Sequence, residues 1–184
     1  MKQGGWTTES RTNKLTAAAL LAALAILLGY VEYLVPVITP VAGIKLGLGN
    51  IAVLAALVLL NSDTMAAFIM ITKVVMTAML FSGIGGFAYS IAGGVVSLLV
   101  MITARRCRHL SAAGISCAGG AAHMAAQIAV ASFITSTPEV FLLFPLLIAV
   151  GTATGFLNGA IVNLASGSIK KYLANIGTSK SGWR

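Results

Sequence analysis

Residues 15–35 read LTAAALLAALAILLGYVEYLV, an apolar run in which Glu32 is the single charged side chain. A helix that crosses a membrane needs about 20 consecutive apolar residues, and this run is long enough. A removed signal peptide would have a shorter apolar stretch and a small-residue cleavage site, whereas this run continues to the helix breakers Pro36 and Pro40. The run therefore predicts a first membrane helix.

Composition extends this prediction to the whole chain. Hydrophobic residues make up 58% of the 184 residues and charged residues 9%, and the mean hydropathy is +0.97. These values do not suit a soluble fold. At about 20 residues per crossing, the chain has room for about six membrane helices with short loops. We expect an all-α integral membrane protein with a six-helix membrane domain at 14–173 and cytoplasmic tails at 1–13 and 174–184.

Breaks in hydrophobicity predict where the six helices lie. After the first run, polar or glycine-rich turns separate five more, including the turn at 82–86 and a basic cluster that begins at Arg105. These apolar runs cover residues 46–60, 64–81, 87–103, 111–134 and 140–164.

The distribution of positive charge predicts the topology. In a six-helix arrangement, ten of the 12 Lys and Arg residues fall on one side of the membrane, namely Lys2, Arg11, Lys14, Arg105, Arg106, Arg108, Lys170, Lys171, Lys180 and Arg184. Cytoplasmic loops carry such an excess of positive charge, so both termini should be cytoplasmic. The net charge of +8 is explained in the same way, and nucleic acid is not an expected partner.

Polar side chains inside the apolar runs predict a binding site. An ionisable group at the bilayer centre costs about 2.5 to 3.5 kcal/mol, so a small membrane protein that keeps several has a use for them. Mapped onto the topology, they converge on an outward-facing cavity rich in hydrogen-bond donors, which favours a small anionic or amphipathic ligand whose negative group pairs with Lys45 or Lys73. The candidate residues are Glu32, Lys45, Asn50, Lys73, Tyr89, Ser90, His123 and Gln127.

These side chains also have structural explanations. Lys45 is explained as an interfacial lysine that extends to the headgroups, and Lys73 as one half of a pair with Glu32 or with a backbone carbonyl. His123 is explained as a hydrogen-bonding residue between helices, and Tyr89 as part of an aromatic belt.

Small residues recur at the spacings that let helices approach. Gly47, Gly49, Gly93 and Gly94 would let backbone approach a ligand closely. The sixth helix carries a glycine stripe at positions 151, 155 and 159, and the first carries two alanine pairs four residues apart, Ala18 with Ala22 and Ala19 with Ala23. Either stripe could pack inside the protein or against a partner.

Several catalytic motifs are absent from the sequence. With one aspartate, Asp63, and three glutamates, the chain has no paired aspartate-rich motif for a magnesium diphosphate, and it has no GxxxxGK[ST] loop for ATP. It also has neither an HExxH motif nor a Ser-His-Asp set. We expect a protein that is not an enzyme and that uses no cofactor or metal.

Three segments carry a family resemblance. The run GIKLGLGNI at 43–51, the run YSIAGG at 89–94, and His123 with Gln127 resemble the Gx transporter family of small bacterial membrane proteins. That family is similar to the substrate-binding S components of energy-coupling factor (ECF) transporters, and its members are often labelled heptaprenyl diphosphate synthase component I. The resemblance covers about residues 14–173. The chain departs from the family pattern at Gly49, where alanine is usual, and at Met124, where asparagine is often found.

The resemblance implies a role in uptake across the bacterial cell membrane. An S component binds a small nutrient near the outer face, docks in the lipid membrane on a T component that carries two ATPases, and topples to release its substrate inside. The docking surface would then be the alanines Ala18, Ala19, Ala22 and Ala23, and the substrate an isoprenoid- or quinone-related precursor or another nutrient. A noncatalytic membrane subunit of polyprenyl diphosphate synthesis is the alternative. A third hypothesis is a stand-alone carrier with Glu32, Lys73 and His123 as a proton relay.

Overall fold

The computed structural model describes residues 8–34, 45–107 and 109–175. Within these ranges the chain is helical and contains no β-strand, which confirms the predicted all-helical class. A π-helical turn, Ala78–Ser82, extends the third helix, and a 3-10 segment, Pro138–Leu143, precedes the sixth. The α-helices are α1 Thr8–Leu34, α2 Asn50–Leu59, α3 Asp63–Thr77, α4 Gly83–Arg106, α5 Ala112–Thr135 and α6 Phe144–Asn175.

Some predicted features lie outside the described residues. They are the breakers Pro36 and Pro40, the ends of both tails, Gly43 and Ile44 of the family-like run, and Arg108 of the basic cluster.

A single glycine reverses the chain between α3 and α4. The sequence predicted a turn over 82–86, but α4 already begins at Gly83, whose φ of 61° and ψ of −167° lie in a region that is almost exclusive to glycine. A side chain at Gly94 would contact Met70 and Val74, so α4 runs back alongside α3. The reversal needs one residue, and the remaining glycines of the predicted turn form the first turn of α4.

Within the part of the chain that the structure describes, four helical stretches are long and apolar enough to cross a membrane, and the protein is therefore membrane-embedded. They are Lys14–Leu34, Asp63–Arg106, Ala112–Thr135 and Pro138–Gly167. The second stretch contains the antiparallel pair α3 and α4. The predicted helix over 46–60 is too long, because α2 has 10 residues, or about 15 Å. Residues 45–49 lie outside it and bond to side chains of other helices.

The short helix α2 forms the centre of the molecule. Its residues from Ala52 to Leu57 are all buried, and Leu54 and Leu57 are completely so. Side chains of all five other α-helices complete the same apolar cluster. Large apolar side chains on the outer faces, such as Leu20, Ile84 and Phe133, are exposed, as expected for surfaces that contact lipid. Because α2 is central, the polar segment that precedes it also lies among the other helices.

The glycine stripe of α6 packs inside the protein. A Cβ on Gly151 would lie 2.5 Å from the backbone oxygen of Gly120 in α5, and Cβ atoms on Gly155 and Gly159 would also contact the α5 backbone. Glycine is required there because the two helices approach to backbone contact. The intramolecular interpretation of this stripe is therefore confirmed.

The two alanine pairs of α1 have opposite environments. Ala18 and Ala22 are buried, at 3% and 7% exposure, and belong to the central apolar cluster. The prediction that this pair forms a docking surface is wrong, since the face that carries it packs inside the protein. Ala19 and Ala23 are exposed, and their docking role stays a prediction.

One end of the molecule is held by Arg105. Its guanidinium donates hydrogen bonds to the Leu57 carbonyl (3.0 Å), to Asn61 (2.8 Å) and to the Asp63 carboxylate (2.6 Å). The end of α4 is thus fixed to the connection between α2 and α3. The turn at Gly83 lies at the opposite end of α4, near the candidate site.

Candidate functional site

Residues 45–49 form a non-helical segment whose backbone bonds to side chains. The backbone N–H of Lys45 donates to Gln127 Oε1 of α5 at 3.2 Å, and that of Leu48 donates to the Glu32 carboxylate of α1. Buried backbone groups that leave a helix must find such partners, since no water is available in an apolar interior. The side chains of two helices thus position the start of the segment.

Helix α6 holds the same segment from another side. Asn158 Nδ2 donates to the carbonyl of Gly47 at 3.2 Å, and Thr154 Oγ1 donates to that of Leu46 at 3.3 Å. Asn158 is buried, at 3% exposure. The segment 45–49 is therefore fixed by α1, α5 and α6 together.

A buried ion pair lies beneath this segment. Lys73 Nζ is 3.8 Å from Glu32 Oε2 and 3.4 Å from Asn50 Oδ1. The side chains of Lys73 and Glu32 are 8% and 1% exposed. Charges so far from solvent are tolerated when they are paired and hydrogen-bonded. The pairing with Glu32 that explained Lys73 structurally is therefore present.

A second lysine lies nearer the α3–α4 turn. Lys45 Nζ donates to Ser82 Oγ at 3.0 Å, and Ser82 in turn donates to the Thr77 carbonyl at 3.2 Å. Lys45 is half-buried. Its ammonium group thus bonds to the protein and does not extend freely to the membrane surface.

His123 and Gln127 form a buried pair on α5. Their Nε2 atoms are 3.1 Å apart, and the two side chains are 3% and 0% exposed. Because Gln127 Oε1 accepts from Lys45, this pair is connected to the 45–49 segment. The predicted sharing of one helix face by these two residues is correct.

These groups enclose a cavity of about 10 Å³, room for about one water molecule. Three buried polar atoms of its lining residues have no hydrogen-bond partner within the described ranges: Glu32 Oε2, Ser90 Oγ and His123 Nδ1. Buried polar groups are nearly always satisfied, so three unsatisfied ones around one cavity indicate a place for a polar guest. The lining residues are Glu32, Lys45, Asn50, Met70, Lys73, Val74, Ser90, Gly94 and His123.

Two of the eight predicted site residues do not line the cavity. Gln127 lies behind His123 and acts through its bonds to His123 and Lys45. Tyr89 is buried in an apolar cluster with Met124 and Leu147. The structure brings the other six together around the cavity; their role in binding a substrate stays a prediction.

The glycines near the site make room for its side chains. A Cβ on Gly49 would overlap the Lys73 side chain, and one on Gly93 would lie 2.8 Å from His123 Nδ1. Gly47, with a φ of 85°, lies against Asn50 and His123. Neighbouring side chains occupy the space that a Cβ on Gly47, Gly49 or Gly93 would need. Gly94 lines the cavity, and the close approach of glycine backbone to a ligand stays a prediction.

Sequence reasoning missed several contributors. Asn158 carried a usable signal, since an asparagine within an apolar helix is costly unless it bonds to something. Ser82 was assigned to a turn, and Met70 and Val74 look like ordinary apolar residues. No pattern in the sequence distinguishes these two from others that face lipid or the core.

Comparison with known proteins gives one family. A family model described as Heptaprenyl diphosphate synthase component I matches residues 21–165. The matched range contains every residue that lines the cavity and every residue that holds the 45–49 segment. No significant match was found among curated proteins or among solved structures.

Proposed function

The chain belongs to the heptaprenyl diphosphate synthase component I family, and we propose that it is the substrate-binding membrane subunit of an ECF-type importer. The observation that carries the proposal is the enclosed polar cavity with three unsatisfied buried polar atoms. Such groups are costly among apolar helices, and a subunit that only anchored a partner would not need them.

The substrate is a small anionic or amphipathic molecule. Two lysines and one glutamate line the cavity, so the site carries more positive than negative charge. Pockets for small molecules usually measure about 300 to 1,000 Å³, far more than the present cavity. Binding therefore requires the cavity to open, and the non-helical segment 45–49 is the element we expect to move.

We propose six passes through the bacterial cell membrane, with both termini in the cytoplasm. Helix α2 and the segment before it form the second pass. Contacts at the two ends support this arrangement: Lys45 bonds to Ser82 beside the α3–α4 turn, and Arg105 bonds to Asp63 at the other end. The basic end faces the cytoplasm under the positive-inside rule, and the cavity then lies nearer the outer surface.

Energy for transport comes from other subunits. The sequence has no ATP-binding loop, so we propose that the chain is not an enzyme and docks on a T component with two ATPases. The exposed alanines Ala19 and Ala23 form the proposed docking surface. Their small side chains would allow close approach of a partner helix.

Co-purification tests the proposal. The chain is tagged at its C-terminus, purified from native membranes in mild detergent, and its partners are identified by mass spectrometry. We expect a T component and two ATPases. If these are absent while the chain remains folded, the importer assignment is wrong.

Variants of the docking surface sharpen this test. Replacing both Ala19 and Ala23 with Leu should reduce recovery of the T component by about tenfold or more, because bulky residues prevent close helix approach. Replacing Ala129 and Ala153, exposed alanines of α5 and α6, with Leu is the matched control and should leave recovery unchanged. Equal recovery with both double variants would show that docking uses another face.

The family description favours a second candidate, a membrane subunit associated with heptaprenyl diphosphate synthesis. The chain would then be noncatalytic, because its single aspartate cannot form the paired motifs that hold a magnesium diphosphate. Recovery of a soluble prenyl synthase, in place of a T component, in the same co-purification would favour this candidate.

A further inference from the structure

The two lysines of the cavity differ in how their charges are balanced. Lys73 has its ion pair with Glu32 at 3.8 Å. Lys45 Nζ bonds to the neutral hydroxyl of Ser82, and within the described ranges it has no carboxylate at ion-pair distance. Lys45 therefore carries the charge that remains unbalanced.

Among the described side chains, no other acid forms an ion pair with Lys45. The sequence has four acidic residues. Asp63 pairs with Arg105 at the opposite end of α4, and Glu139 is exposed in the 3-10 segment. Glu9 lies in the first turn of α1, about 34 Å along the helix from Glu32. With a neutral imidazole, the site has a net charge of +1.

Hydrogen bonding fixes which nitrogen of His123 carries the proton. Gln127 Oε1 accepts from the Lys45 backbone N–H, so the Gln127 NH₂ group is the one that faces His123 Nε2. An amide NH₂ only donates, and Nε2 must therefore accept. The proton of the neutral ring is then on Nδ1, which lies beside the Gly93 backbone and makes no well-formed hydrogen bond within the described ranges.

The unsatisfied atoms thus form a complementary set. His123 Nδ1–H donates, Glu32 Oε2 accepts, and the Ser90 hydroxyl can do either. A hydroxyl or N–H group of a ligand would satisfy Glu32 as a donor, and a hydroxyl would also accept from His123. This part of the cavity is suited to a polar group without charge.

Positions along α4 show that the two parts of the cavity lie beside different turns of this helix. A Cβ on Gly86 would lie 3.9 Å from Lys45 Nζ, and one on Gly93 would lie 2.8 Å from His123 Nδ1. These glycines are seven residues apart, about 10 Å of helix.

We propose that the site binds a small monoanion that carries a hydroxyl or N–H donor at its other end, with Lys45 binding the negative group and Glu32, Ser90 and His123 binding the donor. This inference rests on the proposed function and specifies its substrate class. One negative charge neutralises the site, whereas a dianion or a diphosphate would introduce uncompensated negative charge into an apolar interior.

Four four-carbon compounds test the proposal on the purified full chain. The probes are 4-hydroxybutanoate, butanoate, succinate and butane-1,4-diol, compared at equal ionic strength by the shift in melting temperature. We expect 4-hydroxybutanoate to give the largest shift, because it alone combines one charge with a hydroxyl. Equal or larger shifts with succinate or with the diol would overturn the proposal, as would the absence of a shift with all four at saturating concentration.

Variants separate the two halves of the site. Lys45→Gln keeps a polar side chain but removes the charge, and it should weaken 4-hydroxybutanoate binding by about tenfold or more. Ser90→Ala should reduce the preference for 4-hydroxybutanoate over butanoate while keeping the preference for carboxylates over the diol. Arg106→Gln, at the opposite end of α4, is the control. Unchanged binding by Lys45→Gln would overturn the role of Lys45.

Co-purification distinguishes failure of this inference from failure of the proposed function. If the T component and ATPases are recovered but the probes do not behave as expected, the substrate class is wrong and the importer assignment stands. If the probes behave as expected and no such partners are recovered, the chain binds monoanions in some other role.

Discussion

At the residue scale, the buried pair of Lys73 and Glu32 is central to the site. Each charge has a second partner: Lys73 contacts the Asn50 side chain, and Glu32 accepts from the Leu48 backbone N–H. The pair thus connects α1 and α3 to the segment that closes the cavity. A buried pair of this kind contributes little net stability, but loss of one partner leaves the other charge isolated.

Removing one charge of the Lys73–Glu32 pair should destabilise the protein more than removing both charges. We expect Lys73→Met to destabilise the protein by about 3 to 5 kcal/mol, because Glu32 would be left buried and unpaired. The double variant with Glu32→Gln should recover most of this loss, since the Gln oxygen still accepts from Leu48. Unfolding of the purified protein in mixed detergents measures both. A double variant no more stable than Lys73→Met would contradict this account of the pair.

At the element scale, apolar length explains where sequence reasoning succeeded, and contacts between helices explain where it failed. Long apolar runs identified the positions of α1, α3, α5 and α6, because a membrane selects for apolar length whatever the neighbouring helices are. Helix α2 was predicted too long, since residues 46–49 are apolar enough to continue it. Their backbone groups bond instead to side chains of α1, α5 and α6, partners that are remote in sequence.

The contact between α5 and α6 should be intolerant of any side chain at Gly151. We expect Gly151→Ala to destabilise by about 1 to 3 kcal/mol, because its Cβ would meet a backbone oxygen that has no freedom to rotate away. Gly167→Ala on the same helix is the control, since nothing lies within 4 Å of its Cβ. It should be neutral or stabilise by about 0.5 to 1 kcal/mol. Equal melting temperatures for the two variants would argue against this contact.

At the scale of the whole molecule, the two ends have different chemistry. The Arg105 end fixes helices with charged side chains at the surface, whereas the other end has Lys45 and Ser82 above a buried polar cavity. The distribution of lysine and arginine predicts that the Arg105 end faces the cytoplasm, and this orientation stays a prediction.

Labelling of the native cysteine tests the proposed topology. Cys107 is exposed at the end of α4, so in intact cells a membrane-impermeant maleimide should label it only after permeabilisation. Cys117→Ala provides the background, and Thr137→Cys in a Cys107→Ala chain reports on the opposite end. Labelling of Cys107 in intact cells would reverse the orientation and place the site on the cytoplasmic side.

The sequence largely predicted which residues form the candidate site. It hardly predicted how their side chains are arranged around the cavity. Buried ionisable groups in an apolar chain are conspicuous, and six of the eight predicted residues line the cavity. Tyr89 was misassigned because its neighbour Ser90 faces the cavity while Tyr89 faces an apolar cluster. Which of two neighbouring side chains faces the cavity depends on how the helix is rotated about its axis. An apolar run with few polar residues does not reveal that rotation.

The sequence by itself determined the class of protein, the approximate positions of the long helices and the candidate polar residues. These follow from local costs, namely the apolar length that a bilayer requires and the penalty for each charge within it. Only the tertiary structure decided that Glu32 pairs with Lys73, that Ala18 and Ala22 are internal, and that Lys45 keeps an unbalanced charge. These depend on contacts between helices, such as that of Lys45 with Gln127, 82 residues away. Such contacts are set by the close packing of the whole bundle.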